Sequence, residues 1–275
     1  MLSRRFARAC AQAAGAGLLV LLTANSVHAQ YGRPMMNDPR PGEDYHVEAA
    51  LGWWFTSLDA TIRSDSIDII GDPIDVKSDL GYEDQTVTEF RLVLRPARKH
   101  KFRVSRTPVN FEGEEILERT IVFNGVTYPV GLPVQSEFKW STWRFGYEYD
   151  FVYRRWGYIG VLLEARYTEA ELELRTPIRQ EFTRIRGPIP AISGVARVYP
   201  SDRVSITAEL GGLKFPEVDE YEGSLFDIDL YGTVSFNRYL GAQLGYRSLD
   251  LSYDADEDSG DLQLNGIYVM GVVRF

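Results

Sequence analysis

From residue 45 onward, apolar and polar side chains alternate in one stretch of sequence after another. In residues 225–237, Phe226, Ile228, Leu230, Val234 and Phe236 share one parity, and Asp227, Asp229, Tyr231, Thr233, Ser235 and Asn237 share the other. Residues 203–211 repeat the pattern, with Val204, Ile206, Ala208 and Leu210 opposed to Ser205, Thr207 and Glu209. Trp143, Phe145, Tyr147, Tyr149 and Phe151 oppose Arg144 and Glu148, while Ile159, Val161, Leu163, Ala165 and Tyr167 oppose Glu164 and Arg166. Phe90, Leu92 and Leu94 oppose Glu89 and Arg91, and Val47, Ala49, Leu51, Trp53 and Phe55 oppose Glu48. Period two is the signature of a strand, because successive side chains point to opposite faces. One such strand would suit a half-buried soluble sheet equally well. The repetition is what predicts a closed antiparallel barrel that crosses a bilayer, apolar outward and polar inward.

Connection lengths alternate as well. Short turns fall near residues 97–100, 153–155, 200–202 and 237–239, and longer polar links are expected at 62–85, 176–188, 215–223 and 254–261. A long excursion over 102–151 turns at Asn124-Gly125, a dipeptide suited to a tight hairpin. Counting arms predicts about ten strands, within a range of about 8–12, and an even count puts both ends of the barrel on the side of the short turns. Aromatic residues gather where strands would meet the bilayer surface, at Tyr149, Phe151, Tyr153, Trp156 and Tyr158 and again at Phe236 and Tyr239.

The first 29 residues read as an export signal: Arg4, Arg5 and Arg8 form a basic head, an apolar run follows, and Val27-His28-Ala29 makes a small-x-small cleavage site. The apolar run is about a dozen residues, too short for a spanning helix, which needs about 20. Cleavage near Ala29 leaves a Pro-bearing lead at 30–44, expected to be flexible and periplasmic, and a barrel at 45–275. It also removes Cys10, the one cysteine, so neither a disulfide nor a thiol nucleophile is expected. Three arginines and no acid are lost, so the 30 basic side chains become 27 against 39 acids, a formal charge of −12. Such acidity argues against a nucleic-acid partner.

The chain ends Gly266-Ile267-Tyr268-Val269-Met270-Gly271-Val272-Val273-Arg274-Phe275, with Ile267, Val269, Val273 and Phe275 on one face. This resembles the terminal-strand signal of bacterial outer-membrane barrels, and the whole pattern is similar to that of small bacterial outer-membrane β-barrel proteins. The resemblance covers the mature chain at the level of architecture and implies a single all-β transmembrane barrel with long extracellular hairpins. It implies residence among outer-membrane lipids, including lipopolysaccharide, and assembly by the barrel assembly machinery with Phe275 as the signal. It carries over no functional residue. Closure would require residues 267–275 to pair with 47–55.

The polar parity of the strands becomes the lumen. It holds Glu48, Glu89, Glu148, Glu164, Glu209, Asp227 and Asp229 against Arg91, Arg144, Arg166, Arg197 and Arg247. A barrel of about 8 strands is filled by its own side chains, whereas about 16 strands enclose water. Unpaired charges in a narrow lumen are costly, so an arginine–carboxylate network is expected. The favoured reading is therefore a non-enzymatic membrane barrel with a structural or surface-interaction role. A narrow solute channel, a barrel enzyme acting on lipid or peptide, and a soluble periplasmic barrel stay open as alternatives.

Barrel enzymes of the resembling class rely on a histidine near the outer rim or lipid-facing edge, and after cleavage only His46 and His100 remain, both placed by the pattern at the short-turn end. No cofactor is expected, and no metal: the acidic segment 254–261 has Ser259 where a calcium loop of the EF-hand type needs glycine and Asn265 where it needs glutamate. It reads as a solvated acidic loop, together with Asp65, Asp68, Asp72, Asp75 and Asp79. Arg175, Arg179, Arg184 and Arg186 surround the link at 176–188, where they are expected either to contact lipopolysaccharide phosphates or to answer neighbouring acids.

Overall fold

The computed structural model describes residues 43–65, 70–123, 125–176, 180–218, 221–255 and 258–275. The expected signal at 1–29 lies outside the described residues, as does the expected lead apart from Glu43 and Asp44. The strands are β1 (Val47–Ser64), β2 (Ile74–Asp75), β3 (Gln85–Ala97), β4 (His100–Ile116), β5 (Ile121–Phe123), β6 (Val126–Tyr128) and β7 (Pro133–Arg154). They continue as β8 (Gly157–Arg175), β9 (Gln180–Ser201), β10 (Val204–Val218), β11 (Tyr221–Ser235), β12 (Leu240–Ala255) and β13 (Asp258–Arg274). Ten of these form an antiparallel meander, β1-β3-β4-β7-β8-β9-β10-β11-β12-β13, which closes by pairing β13 to β1. The two-residue β2 lies beside β1, and β5 and β6 make a small separate hairpin.

Closure runs from Glu48 opposite Arg274 to Ser64 opposite Asp258. The terminal residue extends it: the Phe275 carbonyl accepts from the His46 and Val47 amides at 2.7 and 3.0 Å, and its own amide donates to the Val47 carbonyl at 2.8 Å. Residues 47–55 and 267–275 thus pair along the closing seam.

Strand length divides the barrel into two storeys. A tilted strand needs about 9–11 residues to cross a bilayer, and β7, β8 and β9 have 22, 19 and 22. In the lower storey, next to the short turns, the outward positions are apolar and exposed: Leu51, Trp53 and Phe55 in β1, Trp143, Phe145, Tyr149 and Phe151 in β7, and Ile267, Val269, Val273 and Phe275 at the end of the chain. Above them the parity holds while the chemistry inverts. The outward positions become Ser57, Asp59, Thr61 and Arg63 in β1, Gln135, Glu137, Lys139 and Ser141 in β7, and Asp261, Gln263 and Asn265 in β13. The inward positions become Leu58, Ala60 and Ile62, then Val134, Phe138 and Trp140, then Leu262 and Leu264, all buried in one apolar cluster. Above the level where outward polarity inverts, the barrel reads like a soluble sheet packed around an oily core.

The outer connections fill this core from above. Ile74, Val76, Leu80 and Tyr82 from the β1–β3 connection, and Leu117, Ile121, Phe123 and Tyr128 from the β4–β7 connection, belong to the same buried cluster. The two connections also clasp each other. The Asp72 amide donates to the Val122 carbonyl at 2.9 Å, and the Val122 amide donates to the Asp72 carboxylate at 2.8 Å. Arg119 grips the Asp79 carboxylate through Nε at 3.0 Å and Nη2 at 2.6 Å. The acids of this link are loop acceptors: Asp65 takes the Gly71 amide, and Asp75 takes the Lys77 and Ser78 amides. Asp68 lies outside the described residues.

In three of the expected long links most of the described residues are instead strand. β9 begins at Gln180 and runs through Pro188, β10 and β11 reach Val218 and Tyr221, and β12 and β13 reach Ala255 and Asp258. Their inverted polarity hides them from a search for apolar-out strands. The β9–β10 ladder nevertheless stops at Ile192 opposite Gly212, although both strands continue. Pro188 and Pro190 are the next residues of Ile192's parity on β9. With no amide to give, they end the bonding toward β10 while the β8 side stays paired, as Pro must in a strand.

The inversion makes a sharp prediction about two outward positions of β13. Val269→Lys, within the apolar band, should cost about 2–4 kcal/mol, the range for a cation at bilayer depth, whereas Gln263→Lys should stay within about 0.5 kcal/mol. Urea unfolding in lipid bilayers reads both, and equal costs would contradict the two-storey division.

Candidate functional site: the charged lower lumen

The lower storey encloses charge. Inward side chains supply nine acids (Glu43, Glu48, Glu89, Glu148, Asp150, Glu164, Glu209, Asp227, Asp229) and nine bases (Arg91, Arg95, Lys101, Arg103, Arg144, Arg166, Arg197, Arg247, Arg274), nearly all buried. All twelve lumen residues expected from the alternation point inward. Six further members were not legible: Glu43 precedes the first strand, Arg95 and Asp150 lie near strand ends among aromatic and proline residues, and Arg274 is the penultimate residue. Lys101 and Arg103 sit on β4, whose outward face carries Phe102 and Val104 for only two positions before Arg106 and Pro108 interrupt the apolar run.

The charges are joined in tiers. At the short-turn mouth, Arg197 Nη1 and the Tyr199 hydroxyl donate to Glu43 Oε1 at 2.9 and 2.5 Å, and Arg95 Nη1 sits 2.8 Å from Oε2. Glu43 thereby stoppers the mouth. Beside it, Lys101 Nζ lies 2.7 Å from Glu148 and 3.0 Å from Asp150, and Arg103 bridges Glu148 to Glu209, the latter at 2.7 Å. Arg274 reaches Glu48 at 2.6 Å across the closing seam. Higher up, Arg247 spans Glu89 at 2.7 Å and Asp229 at 2.8 Å, while the Tyr268 hydroxyl donates to the other Asp229 oxygen at 2.8 Å. Arg91 stands 3.6 Å from both acids. In the top tier, Arg144 forks onto Glu164 with two bonds of 3.0 Å, and Arg166 bridges Glu164 at 2.7 Å and Asp227 at 2.6 Å.

Trp54, Trp140, Ile189, Leu225, Leu249 and Leu251 lie directly over that tier. The cavity at this junction measures about 20 Å³, room for about one water molecule. The lower lumen is thus filled with paired charges, and hydrocarbon packs above them.

The two histidines among the described residues lie at the short-turn end. His46 Nδ1 is 3.3 Å from the Arg95 carbonyl, and His100 Nδ1 is 2.7 Å from the Tyr147 hydroxyl on the outer face. Of the expected lipopolysaccharide contacts, Arg179 lies outside the described residues. Arg175 pairs with Glu173 at 2.7 Å, and Arg184 pairs with Glu171 and reaches Glu169 at 3.7 Å. Arg186 is exposed, opposite Glu169.

The sequence matches no protein-family model, and no curated relative matches it. Solved structures do match by shape. The outer membrane protease OmpT from Escherichia coli aligns with 85% of this chain and 97% of its own, at a TM-score of 0.57 and 6% identity. The chain has the fold of bacterial outer-membrane β-barrels. Weaker likenesses include the attachment invasion locus protein Ail of Yersinia pestis, at TM-score 0.37 and 10% identity over 82% of this chain and 99% of that one. The toluene transporter TodX of Pseudomonas putida also scores 0.37, at 8% identity over 84% of this chain and 90% of that one.

These findings correct one expectation. The chain was read as non-enzymatic, yet a barrel with this architecture is a protease, so the fold does not separate enzyme from non-enzyme and that exclusion falls. At 6% identity the likeness transfers the fold and no activity.

Two outcomes test the lumen. Arg247→Met should strand Glu89 and Asp229 in a low-dielectric interior and cost about 3–5 kcal/mol, against less than about 0.5 kcal/mol for the exposed Arg186→Met, both by urea unfolding. The second concerns Glu43, which lies outside the spanning strands. Burial alone would raise its carboxyl, but Arg197 and Arg95, with Lys101 and Tyr199, hold it down to about 2. A depressed folded value means stability that is present above the ordinary carboxylate range and lost as pH falls toward 2, on the order of 3 kcal/mol in all. The stability difference between the native chain and Glu43→Gln should therefore be largest above pH 5 and shrink steadily toward pH 2.

Proposed function

We propose that this chain is an integral barrel of the bacterial outer membrane, sealed along its axis, that acts through the rigid storey it raises above the bilayer. The observation that carries this reading is the inversion of polarity. Apolar side chains take the outward parity through nine-residue stretches at 143–151, 159–167 and 267–275, with Gly271 the one exception, the span a tilted transmembrane strand needs. Above that level the same strands turn a polar surface outward around the cluster containing Phe111, Phe138 and Trp140.

The lower lumen supports the sealed reading. Its nine acids and nine bases leave no net charge to attract an ion of either sign, and each guanidinium is engaged by carboxylates or ring faces. The upper lumen supports it further, because a core of buried hydrocarbon side chains excludes water. A surface-interaction role follows from what stays accessible: a stiff polar wall and two clasped connections at its crown.

Planar-bilayer recording with purified protein tests the seal. Little or no steady conductance is expected, and a large, stable open channel would contradict it. Paired removal of Phe138 and Trp140 as alanines should leave the trace closed if the salt-bridged tier suffices to block passage, and should open discrete transient events if the hydrocarbon roof is the main barrier.

A further inference from the structure

The four short turns carry an unusual charge. Arg98 and Lys99 join β3 to β4, Arg154 and Arg155 join β7 to β8, Arg203 joins β9 to β10, and Arg238 joins β11 to β12; all six are exposed. Asp202 is the one acid among these turn residues. Arg155 and Asp202 have partners. The other five bases form no ion pair within the described residues, whereas at the opposite end of the barrel most bases are paired. There Arg63 meets Asp65, Lys77 meets Asp59, Arg119 meets Asp79, Lys139 meets Glu137 and Lys214 meets Glu222. Asp44 acts on Arg238 electrostatically, but the bases outnumber the acids on this rim, and cations in excess repel one another unless something anionic lies beside them.

Their height says what that is. The outward apolar runs reach Leu94, Phe151, Val204 and Phe236 at this end, and Arg98, Arg154, Arg203 and Arg238 lie within four residues of those positions. At about 3.3 Å per residue this is at most about 13 Å along a tilted strand, within side-chain reach of the headgroup layer that adds about 5–8 Å to each face of the hydrocarbon. Trp156 and Tyr239 share these turns and are exposed, as amphipathic rings are at that interface. Arg238 also stacks over the Tyr239 ring, its guanidinium carbon 4.6 Å from the centroid, which holds the charge at the ring's level.

We propose that the turns form a basic collar that binds the phosphate headgroups of anionic glycerophospholipids in the leaflet on the short-turn side. The proposal rests on the membrane reading of the barrel. Each guanidinium offers a planar fork to a phosphate, and clustered bases near an anionic surface add their attractions. The collar would select lipids by headgroup charge and fix the height of the barrel in the bilayer.

The test reconstitutes full-length mature protein into nanodiscs of phosphatidylcholine with about one third phosphatidylglycerol and counts co-purifying lipid of each kind by native mass spectrometry after mild detergent release. Heat-dependent gel mobility and recovery in the disc first report whether the barrel inserts, so failure of the membrane reading shows there and not in the lipid count. Phosphatidylglycerol should be retained over phosphatidylcholine, and selectivity should fall by at least about tenfold when Arg98, Lys99, Arg154, Arg203 and Arg238 are all changed to Gln. The matched variant with those four arginines as Lys should retain selectivity, which separates charge from misfolding.

Equal retention of both lipids by the native protein would overturn the proposal, as would unchanged selectivity in the Gln variant. Sedimentation with isolated cell-wall sacculi is the competing arm. Collar-dependent binding there, without lipid selectivity, would assign the charge to wall carboxylates and overturn the lipid proposal.

Discussion

Everything in this structure depends on the hydrogen-bonded closure of β1 against β13. A sheet inside lipid has no water to satisfy its edge, so each unpaired amide or carbonyl there would cost several kilocalories per mole. The chain meets that constraint to its last residue: the Phe275 carbonyl takes two amides and its amide finds Val47. Once ten strands close, the strict alternation of side chains leaves each residue one of two solvents, the lumen or the outside. The two storeys are two answers to that choice, one with lipid outside and one with water outside. The ladder relaxes between strands of the main wall at the β9–β10 seam beyond Ile192, and there two prolines withdraw the donors that would otherwise stand unmet.

Filling a narrow lumen with ions is expensive unless each is held by several partners. Here the solution is balance together with geometry. Nine carboxylates face nine cations; several arginines bridge pairs of acids, and tyrosine hydroxyls add bonds, as Tyr268 does to Asp229 at 2.8 Å and Tyr231 to Glu209 at 3.0 Å. Guanidinium groups also lie against rings: Arg247 is 5.5 Å from Trp54 and 5.2 Å from Tyr268. Such a network disfavours any rearrangement that would expose one charge, so it stiffens the wall that carries the upper storey. The architecture is shared with a protease. Within that architecture this chain fills its lumen with ions below and hydrocarbon above.

Much of this was legible in advance. The apolar-out strands of the lower storey, the short turns, the closing pair of strands and twelve lumen residues all follow from period-two alternation. The upper storey did not, because at 57–64, 168–175 and 248–255 the parity continues while the chemistry reverses, and a reader expecting lipid outside sees polar loops. Lys101 and Arg103 were lost for a related reason: β4 has only Phe102 and Val104 to mark its lipid face before water begins at Arg106. Glu43 carried no signal at all. Its burial depends on Arg95 and Arg197, which are 52 and 154 residues away in sequence.

By itself the sequence determined which parity of each strand faces in, since lipid and water reject the wrong side chains residue by residue. It also determined the charged character of the interior and the basic residues in the short turns. Only the tertiary structure decided which acid meets which base, because partners such as Glu89 and Arg247 are set by register and barrel closure across 158 residues. It also decided where lipid gives way to water along each strand. That boundary is a plane through ten strands at once, and no single stretch of sequence contains a plane.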